Sequence, residues 1–325
     1  MKSIYLSMLS LLISFTSHSE SCLPENTSLG SQAAIDNFLI NYPDCTTIEG
    51  KLSISGSDIT NLHGLQNITT FEQALYIEDC PLLENFSGLE NLAFIGGNFE
   101  LTLLPLIENF NELSNLTYVG GALDILSLPS LTSFNGLNNI TSPVTHLVIW
   151  DTQNLTNLEG LNNIPSVAIS LWLRANTGLQ DIGALENTDL GELLSLKIID
   201  NPQLSYCHVH SICESLINGS QANVIQNNGN GCNSFEEVMN SCIESAPDVW
   251  DSENHNFYPN PASSEIVFHQ MKPKTIKIYS REGQLVYFQD HVLVSLEIDD
   301  LNPGLYFMSI GYSDTQIIEK LVVFE

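Results

Sequence analysis

Cysteine and histidine side chains cluster near residue 210, where they could bind a metal ion or form disulfides. Cys207, His208, His210 and Cys213 fall within seven residues, and thiolate and imidazole are common zinc ligands. The chain begins with a segment typical of exported proteins, and an oxidising compartment favours disulfides over thiolate ligands. We therefore predict no metal site, and disulfides whose pairing stays open among Cys207, Cys213, Cys232 and Cys242.

A second pair of cysteines, Cys22 and Cys45, flanks a helix predicted at residues 31–42 with Ser31 as its N-cap. A disulfide between them would close a loop of roughly two dozen residues and stabilise the fold by about 3 kcal/mol. The remaining cysteine, Cys80, has no neighbour in sequence that would lower the pKa of its thiol. We predict that it is a half-buried free thiol and not a nucleophile.

Sequence motifs of common enzyme classes are absent. The chain has no Gly-x-Ser-x-Gly, His-Glu-x-x-His or Gly-x-x-x-x-Gly-Lys motif. We therefore predict no catalytic residues, no cofactor and no enzymatic activity.

The region from residue 52 to 204 repeats about every 24 residues. Each unit begins with two apolar residues separated by one, typical of a short strand whose side chains alternate between two faces. A second apolar series then recurs at every third residue, as at Ile59, Leu62, Leu65 and Ile68. Units this short cannot bury an apolar face alone, so the pattern predicts a solenoid with one continuous core. The seven apolar pairs are Leu52/Ile54, Leu75/Ile77, Phe99/Leu101, Leu123/Ile125, Leu147/Ile149, Leu171/Leu173 and Leu196/Ile198.

The outward positions of these strands are the predicted binding site. Trp150 and Trp172 fall on neighbouring strands, about 5 Å apart. With Leu126, Val148 and Ile199 they should form an exposed apolar patch, and such patches usually mark an interaction surface. The candidate ligand-binding residues are Tyr76, Glu100, Asp124, Leu126, Val148, Trp150, Trp172 and Arg174.

An asparagine recurs at intervals of 24 residues within the repeats. We predict a buried ladder in which each side-chain amide bonds backbone groups of its own turn or of the neighbouring repeat. Loss of one partner should cost about 1 to 3 kcal/mol, and burial should exclude a glycan from the sequons at Asn67, Asn115 and Asn139. The ladder residues are Asn67, Asn91, Asn115, Asn139, Asn163 and Asn187.

The chain is strongly acidic, with a formal net charge of −29. Residues 20–246 carry 26 Asp and Glu against three basic residues, Lys51, Arg174 and Lys197. The negative potential of such a surface repels phosphate groups. We therefore expect neither nucleic acid nor an anionic membrane surface as a partner. After the leader, no segment approaches the ~20 apolar residues of a transmembrane helix.

Composition and period divide the chain into six segments. A polar, acidic stretch without periodicity reads as a linker, and the short β-rich runs after it predict a small β-sandwich. The predicted segments are a signal peptide at 1–19, an N-terminal cap at 20–49, the solenoid at 50–204, a cysteine-rich cap at 205–242, a linker at 243–256 and a C-terminal domain at 257–325.

The repeats resemble the bacterial form of the receptor L domain. Residues 59–68 read ITNLHGLQNI, residues 155–164 read LTNLEGLNNI, and the cap contains SQAAID at 31–36. The resemblance runs from about Ser21 to Cys242 and implies a ligand-binding lobe. The expected fold class is therefore mainly β, a right-handed parallel β-helix of about seven 24-residue rungs with capped ends, followed by a small Ig-like β-sandwich.

The C-terminal segment resembles the sorting domain of the type IX secretion system. It contains FYPNPA at 257–262, IKIYSREGQLV at 276–286, LNPGLYF at 301–307 and EKLVV at 319–323, in the order of that family. The resemblance implies a Bacteroidetes-type bacterium, the type IX secretion machinery as a partner, and release or attachment to surface lipopolysaccharide.

Three functions follow as hypotheses. The first is a secreted or cell-surface binding or adhesion protein that recognises a glycan or a surface protein. The second is a structural spacer in a surface layer, which would have no saturable ligand. The third is a carbohydrate-active enzyme using groove carboxylates such as Glu100 or Asp124.

Overall fold

The computed structural model describes residues 20–191, 193–218, 222–235, 237–238, 241–242, 257–268, 273–280, 284–290, 295–311 and 316–324. The predicted signal peptide at 1–19 and linker at 243–256 lie outside the described residues. The fold is mainly β, and its described residues include the α-helices Gln32–Asn41 (α1) and His210–Asn218 (α2).

A parallel sheet of nine strands runs through the repeats. Each strand pairs with the strand of the next repeat, and every pair is parallel. All seven predicted strands are present, and each cap segment adds one more, which covers an edge that would otherwise be unpaired. The strands are Thr27–Leu29 (β2), Leu52–Ile54 (β4), Leu75–Glu78 (β6), Phe99–Thr102 (β8), Leu123–Leu126 (β10), Val144–Trp150 (β11), Val167–Arg174 (β12), Ser195–Ile199 (β13) and Ala222–Gln226 (β14).

A second parallel sheet of five short strands lies along the first part of the repeats, and the sequence pattern did not predict it. Most of these strands have only two residues, too few for alternation to be recognised. They are Glu20–Cys22 (β1), Cys45–Ile48 (β3), Thr70–Phe71 (β5), Phe94–Ile95 (β7) and Tyr118–Val119 (β9).

The core of the repeats is built from the two apolar series that the repeat predicts. The apolar strand residues and the every-third-residue series have no solvent exposure, as at Leu52, Ile54 and Leu62. Phe86, Phe110 and Phe134 stack in successive repeats with ring centroids 5.6 and 5.7 Å apart. Equivalent side chains therefore pack on one another from repeat to repeat.

Six strands of the repeats, from β6 to β13, are each followed by a residue with left-handed backbone and then by a buried residue. The left-handed residues have φ between 50° and 63° and include Asp79, Asp151 and Asp200. The buried residues that follow change from apolar to polar along the stack. In order they are Cys80, Leu104, Leu128, Thr152, Asn176 and Asn201.

The predicted asparagine ladder forms, but on the surface. The Nδ2 atom of Asn115 donates to the carbonyl of Glu90 at 2.6 Å, and Asn67, Asn91, Asn139 and Asn163 make the same bond to the preceding repeat. These five residues and Asn187 are exposed, so the prediction of burial was wrong. The position lies at the outer corner of the turn, where only the amide nitrogen reaches back. Burial therefore gives no reason to exclude a glycan there.

A different asparagine series forms a buried ladder. Asn176 Oδ1 accepts from the backbone N–H and the hydroxyl of Thr152, at 3.1 and 2.8 Å. Asn201 Oδ1 accepts from the N–H of Asn176 at 3.0 Å, and Asn228 Oδ1 accepts from the N–H of Asn201 at 3.0 Å. The sequence interpretation missed this series because it contains asparagine only at the C-terminal end of the stack.

In each repeat the chain bends just before a leucine of the core, and this bend has two forms. Gly88, Gly136 and Gly160 have φ between 105° and 110°, a conformation that side chains disfavour. Glu112 and Ala184 replace glycine in other repeats and lie in 3₁₀ turns, Asn111–Leu113 and Gly183–Leu185. Neither Glu112 nor Ala184 has positive φ, so the bend does not require left-handed backbone at these two positions.

Both caps are closed by disulfides. Cys22 bonds Cys45, as predicted, and α1 between them has Ser31 as its N-cap, whose hydroxyl accepts from the N–H of Ala34 at 3.2 Å. In the cysteine-rich cap, Cys207 bonds Cys232 and Cys213 bonds Cys242. Cys80 is a free thiol, and it is fully buried where we predicted a half-buried side chain.

The C-terminal segment forms two antiparallel sheets around a core of its own. Ile266, Ile278 and Met308 lie in this core with residues from both sheets. The three-stranded sheet contains Phe257–Tyr258 (β15), Glu265–Phe268 (β16) and Ser295–Glu297 (β19). The four-stranded sheet contains Thr275–Ser280 (β17), Leu285–Asp290 (β18), Gly304–Gly311 (β20) and Gln316–Val323 (β21).

Candidate ligand-binding face

The predicted binding residues lie on the outer face of the nine-stranded sheet, in two columns that follow from the strand register. The first column contains Tyr76, Glu100, Asp124, Val148, Trp172 and Lys197. The second contains Glu78, Thr102, Leu126, Trp150, Arg174 and Ile199. We call these two columns the outer face.

Each tryptophan of the outer face has a cation over its ring. The guanidinium carbon of Arg174 lies 4.9 Å from the centroid of Trp150, and Lys197 Nζ lies 4.0 Å from the centroid of Trp172. Trp172 Nε1 also donates to the hydroxyl of Ser195 at 3.1 Å. Cation–π contacts of this kind hold both partners in place.

The exposed apolar patch is smaller than predicted. Trp150 is 42% exposed, but Val148 is only 9% exposed because it stands between Asp124 and the larger Trp172 in its column. Leu126 and Ile199 are only partly exposed. The Trp150 ring has Leu126 on one neighbouring strand and Arg174 on the other, so the ring and the cation lie together on this face.

Two carboxylates, Glu100 and Asp124, lie side by side at the centre of the outer face. Burial raises the pKa of the Asp124 carboxyl to about 6, with a smaller contribution from the charge of Glu100. One carboxyl oxygen of Asp124 is buried without a hydrogen-bond partner. Burying an unpartnered carboxylate is costly, so Asp124 favours its protonated form more than an ordinary aspartate does.

A groove of about 410 Å³ lies at the N-terminal end of the outer face, around Tyr76. Lys51 Nζ lies 5.8 Å from the Tyr76 ring centroid, and the Ser53 hydroxyl donates to Glu78 at 3.2 Å. Sequence reasoning did not include Lys51 in the site. Lys51 directly precedes Leu52, and strand alternation places it on the same outward face as Ser53. This spacing could have identified Lys51 from the sequence.

The cysteine and histidine cluster does not form a metal site. Cys207 and Cys213 are both in disulfides, which removes the thiolate ligands. His210 lies 3.6 Å from Glu214 on the surface of α2. Among the described residues, no three His, Cys, Asp or Glu side chains are grouped so that they could hold a metal ion.

Together these features define a mainly β repeat protein with stacked parallel strands, a variable outer face and a separate antiparallel C-terminal segment. Residues 44–116 match the family model of the Receptor L domain, and residues 256–324 match that of the Secretion system C-terminal sorting domain. Both matches agree with the resemblances that the sequence motifs indicated. No curated protein matches it.

The two matches differ in how much of the predicted segment they cover. The Receptor L domain match includes only the first repeats, whereas in-register strand pairing continues to β14. The sorting-domain match differs from the predicted 257–325 by one residue at each end. This domain marks the protein for export by type IX secretion to the cell surface or the medium. No helix within the described ranges is long and apolar enough to cross a membrane.

Proposed function

We propose that this protein is a non-catalytic binding protein of the cell surface or medium, and that its outer face recognises a glycan or a surface protein. The observation that carries the proposal is the contrast between the two sides of one sheet. Inward residues are repeated Leu and Ile, whereas outward residues include Tyr76, Glu100, Trp150 and Trp172. Packing of the core explains the inward Leu and Ile, but it does not require the outward aromatic and acidic residues.

The proposal includes the finer architecture. We infer a right-handed parallel β-helix of about seven repeats, because each repeat contributes one strand to a continuous parallel sheet. Such a stack is rigid along its length and presents its outward columns as one surface.

The test is a double substitution, Trp150→Ala with Trp172→Ala, assayed on arrays of glycans and surface proteins. Buried or partly buried tryptophans at interfaces often contribute 2 kcal/mol or more, so binding should weaken roughly tenfold or more. Phe94→Ala with Tyr118→Ala is the matched control. These two rings are stacked 4.6 Å apart on the five-stranded sheet, and at 37% and 40% exposure they resemble Trp150 at 42%.

The two variants separate the hypotheses. Equal loss of binding in both would show that the outer face is not the site. A wild-type protein without any saturable ligand would favour the spacer hypothesis. A circular dichroism spectrum identical to the wild type would show that the substitutions leave the fold intact.

A carbohydrate-active enzyme is the second candidate, and the raised pKa of Asp124 beside Glu100 favours it. Paired carboxylates with separated pKa values can act as general acid and base. We propose binding instead of catalysis because burial accounts for most of this shift without a substrate. Release of sugar from a polysaccharide by the wild type, abolished in Asp124→Asn, would support the enzyme.

A further inference from the structure

All three basic residues between residues 20 and 246 lie on or beside the outer face, and each lies over an aromatic ring. Arg174 is paired with Trp150, Lys197 with Trp172, and Lys51 with Tyr76. The same stretch contains 26 acidic residues. A distribution set only by solubility would scatter three cations over all faces.

None of these cations is in an ion pair with the described carboxylates. Within the part of the chain that the structure describes, the salt-bridge geometry is met by His210 and Glu214. Arg174 is exposed and Lys197 is partly exposed. A cation over an indole ring keeps its hydrogen-bond donors directed to the surroundings, so both charges remain free to meet an external anion.

Arg174 and Lys197 lie close enough to act on one group. They occupy neighbouring strands, where Trp172 pairs with Lys197 and Arg174 pairs with Ile199. Arg174 and Lys197 are therefore offset by one strand and two residues, which places their backbones roughly 8 Å apart. Long, flexible side chains span this distance, and the guanidinium fork matches the two oxygens of a carboxylate.

The surroundings favour a glycan over a protein as the source of the anion. A stable protein interface buries about 800 Å² on each partner around an apolar centre. Among the outer-face residues, only Trp150 is a strongly exposed large apolar side chain. The net charge of −29 also repels polymers that carry many negative charges.

We infer that Arg174 and Lys197 bind the carboxylate of an acidic sugar residue within a glycan of low charge density. This inference rests on the proposed function and names the ligand class of the same face. Trp150 and Trp172 hold the two cations in place and contact the sugar ring with their exposed edges.

The experiment compares one oligosaccharide containing a single uronic acid with its carboxyl-reduced, neutral counterpart. The full-length protein is titrated with each ligand by calorimetry. Each substitution removes a charge-assisted hydrogen bond, so Arg174→Gln and Lys197→Met should each weaken binding of the acidic ligand roughly tenfold or more. The reduced ligand should bind weakly to wild type and variants alike.

Lys277→Met is the matched control. Lys277 Nζ lies 6.0 Å from the centroid of Phe288 in the C-terminal segment, so its substitution removes one positive charge and one cation–π contact elsewhere. It should leave the affinity unchanged. Equal weakening in this control would show a general effect of net charge and would overturn the inference.

Other outcomes separate this inference from the proposed function. Equal affinity for the acidic and the reduced ligand would overturn the carboxylate site but leave recognition by the outer face standing. The same holds if the array yields only a protein ligand, lost in the tryptophan variant and retained in Arg174→Gln. Failure of every glycan and protein to bind would overturn both.

Discussion

Asp124 is the residue of the outer face whose protonation can be tested most directly. Its pKa is raised from 3.8 to about 6, first by burial and then by Glu100. Between these values the folded state binds more protons than the unfolded state. The free energy of unfolding should therefore fall as pH rises from about 4 to about 6.

Asp124→Asn should remove this part of the pH dependence. The variant cannot ionise at this position, so above pH 6 it should be more stable than the wild type, and the difference should disappear toward pH 4. Urea unfolding at pH 4, 5, 6 and 7 measures the difference. Glu72→Gln, which removes an exposed carboxylate elsewhere, is the control for the change in net charge alone. A constant difference across this range would contradict the assignment to Asp124.

The three cation–π pairs are formed by single residues that the repeat pattern does not specify. Lys51, Arg174 and Lys197 each pair with an aromatic residue on a strand one repeat away. Each contact depends on both the register of the sheet and the length of the side chain. It is at this scale that ligand specificity is expected to arise.

At the scale of the element, stacking is maintained by bonds between equivalent turns. The surface ladder bonds one amide to a carbonyl of the preceding repeat, as at Asn115. The buried ladder does more, because Asn201 satisfies the N–H of Asn176 and also donates to the carbonyl of Leu173 at 3.0 Å. Water can replace the first set of bonds but not the second.

Asn201→Ala should therefore destabilise the fold more than Asn115→Ala. The first leaves buried backbone groups unsatisfied and should cost about 1 to 3 kcal/mol. The second removes one exposed bond and should cost less than about 1 kcal/mol. Denaturant unfolding of both variants measures the difference. Equal costs would show that water reaches the Asn201 position.

At the scale of the whole molecule, the chain combines a repeat region with a C-terminal sorting domain. They have two cores, one extending through the stacked strands and one between the two antiparallel sheets, and Val322 of the C-terminal segment packs with the first. The three disulfides all lie in the segments that cap the repeats. Stability of the repeats and the export signal are thus carried by different parts of the sequence.

Deletion of residues 257–325 should abolish export without unfolding the repeats. In a bacterium with type IX secretion, the truncated protein should remain inside the outer membrane, because the matched sorting domain is missing. Cell fractionation with an antibody to the repeats measures its location. A near-native circular dichroism spectrum checks its fold. Truncated protein found at the surface would show that another signal directs export.

The sequence by itself determined seven strands of the nine-stranded sheet, the two apolar series of the core and the disulfide between Cys22 and Cys45. These features follow from period and short spacing along the chain, because burial of an apolar face requires a regular pattern. The placement of Trp150 and Trp172 outward follows from the same alternation. The motifs of the sorting domain were likewise readable from order and spacing, and residues 256–324 match that domain.

Only the tertiary structure decided which asparagines are buried, which cysteines pair in the second cap and which rings the cations cover. All three depend on contacts between residues more than 20 positions apart in sequence, as with Cys207 and Cys232 or Lys197 and Trp172. A repeat period shows that equivalent positions stack, but not how far each side chain reaches. The surface position of Asn115 and the buried position of Asn201 differ for that reason.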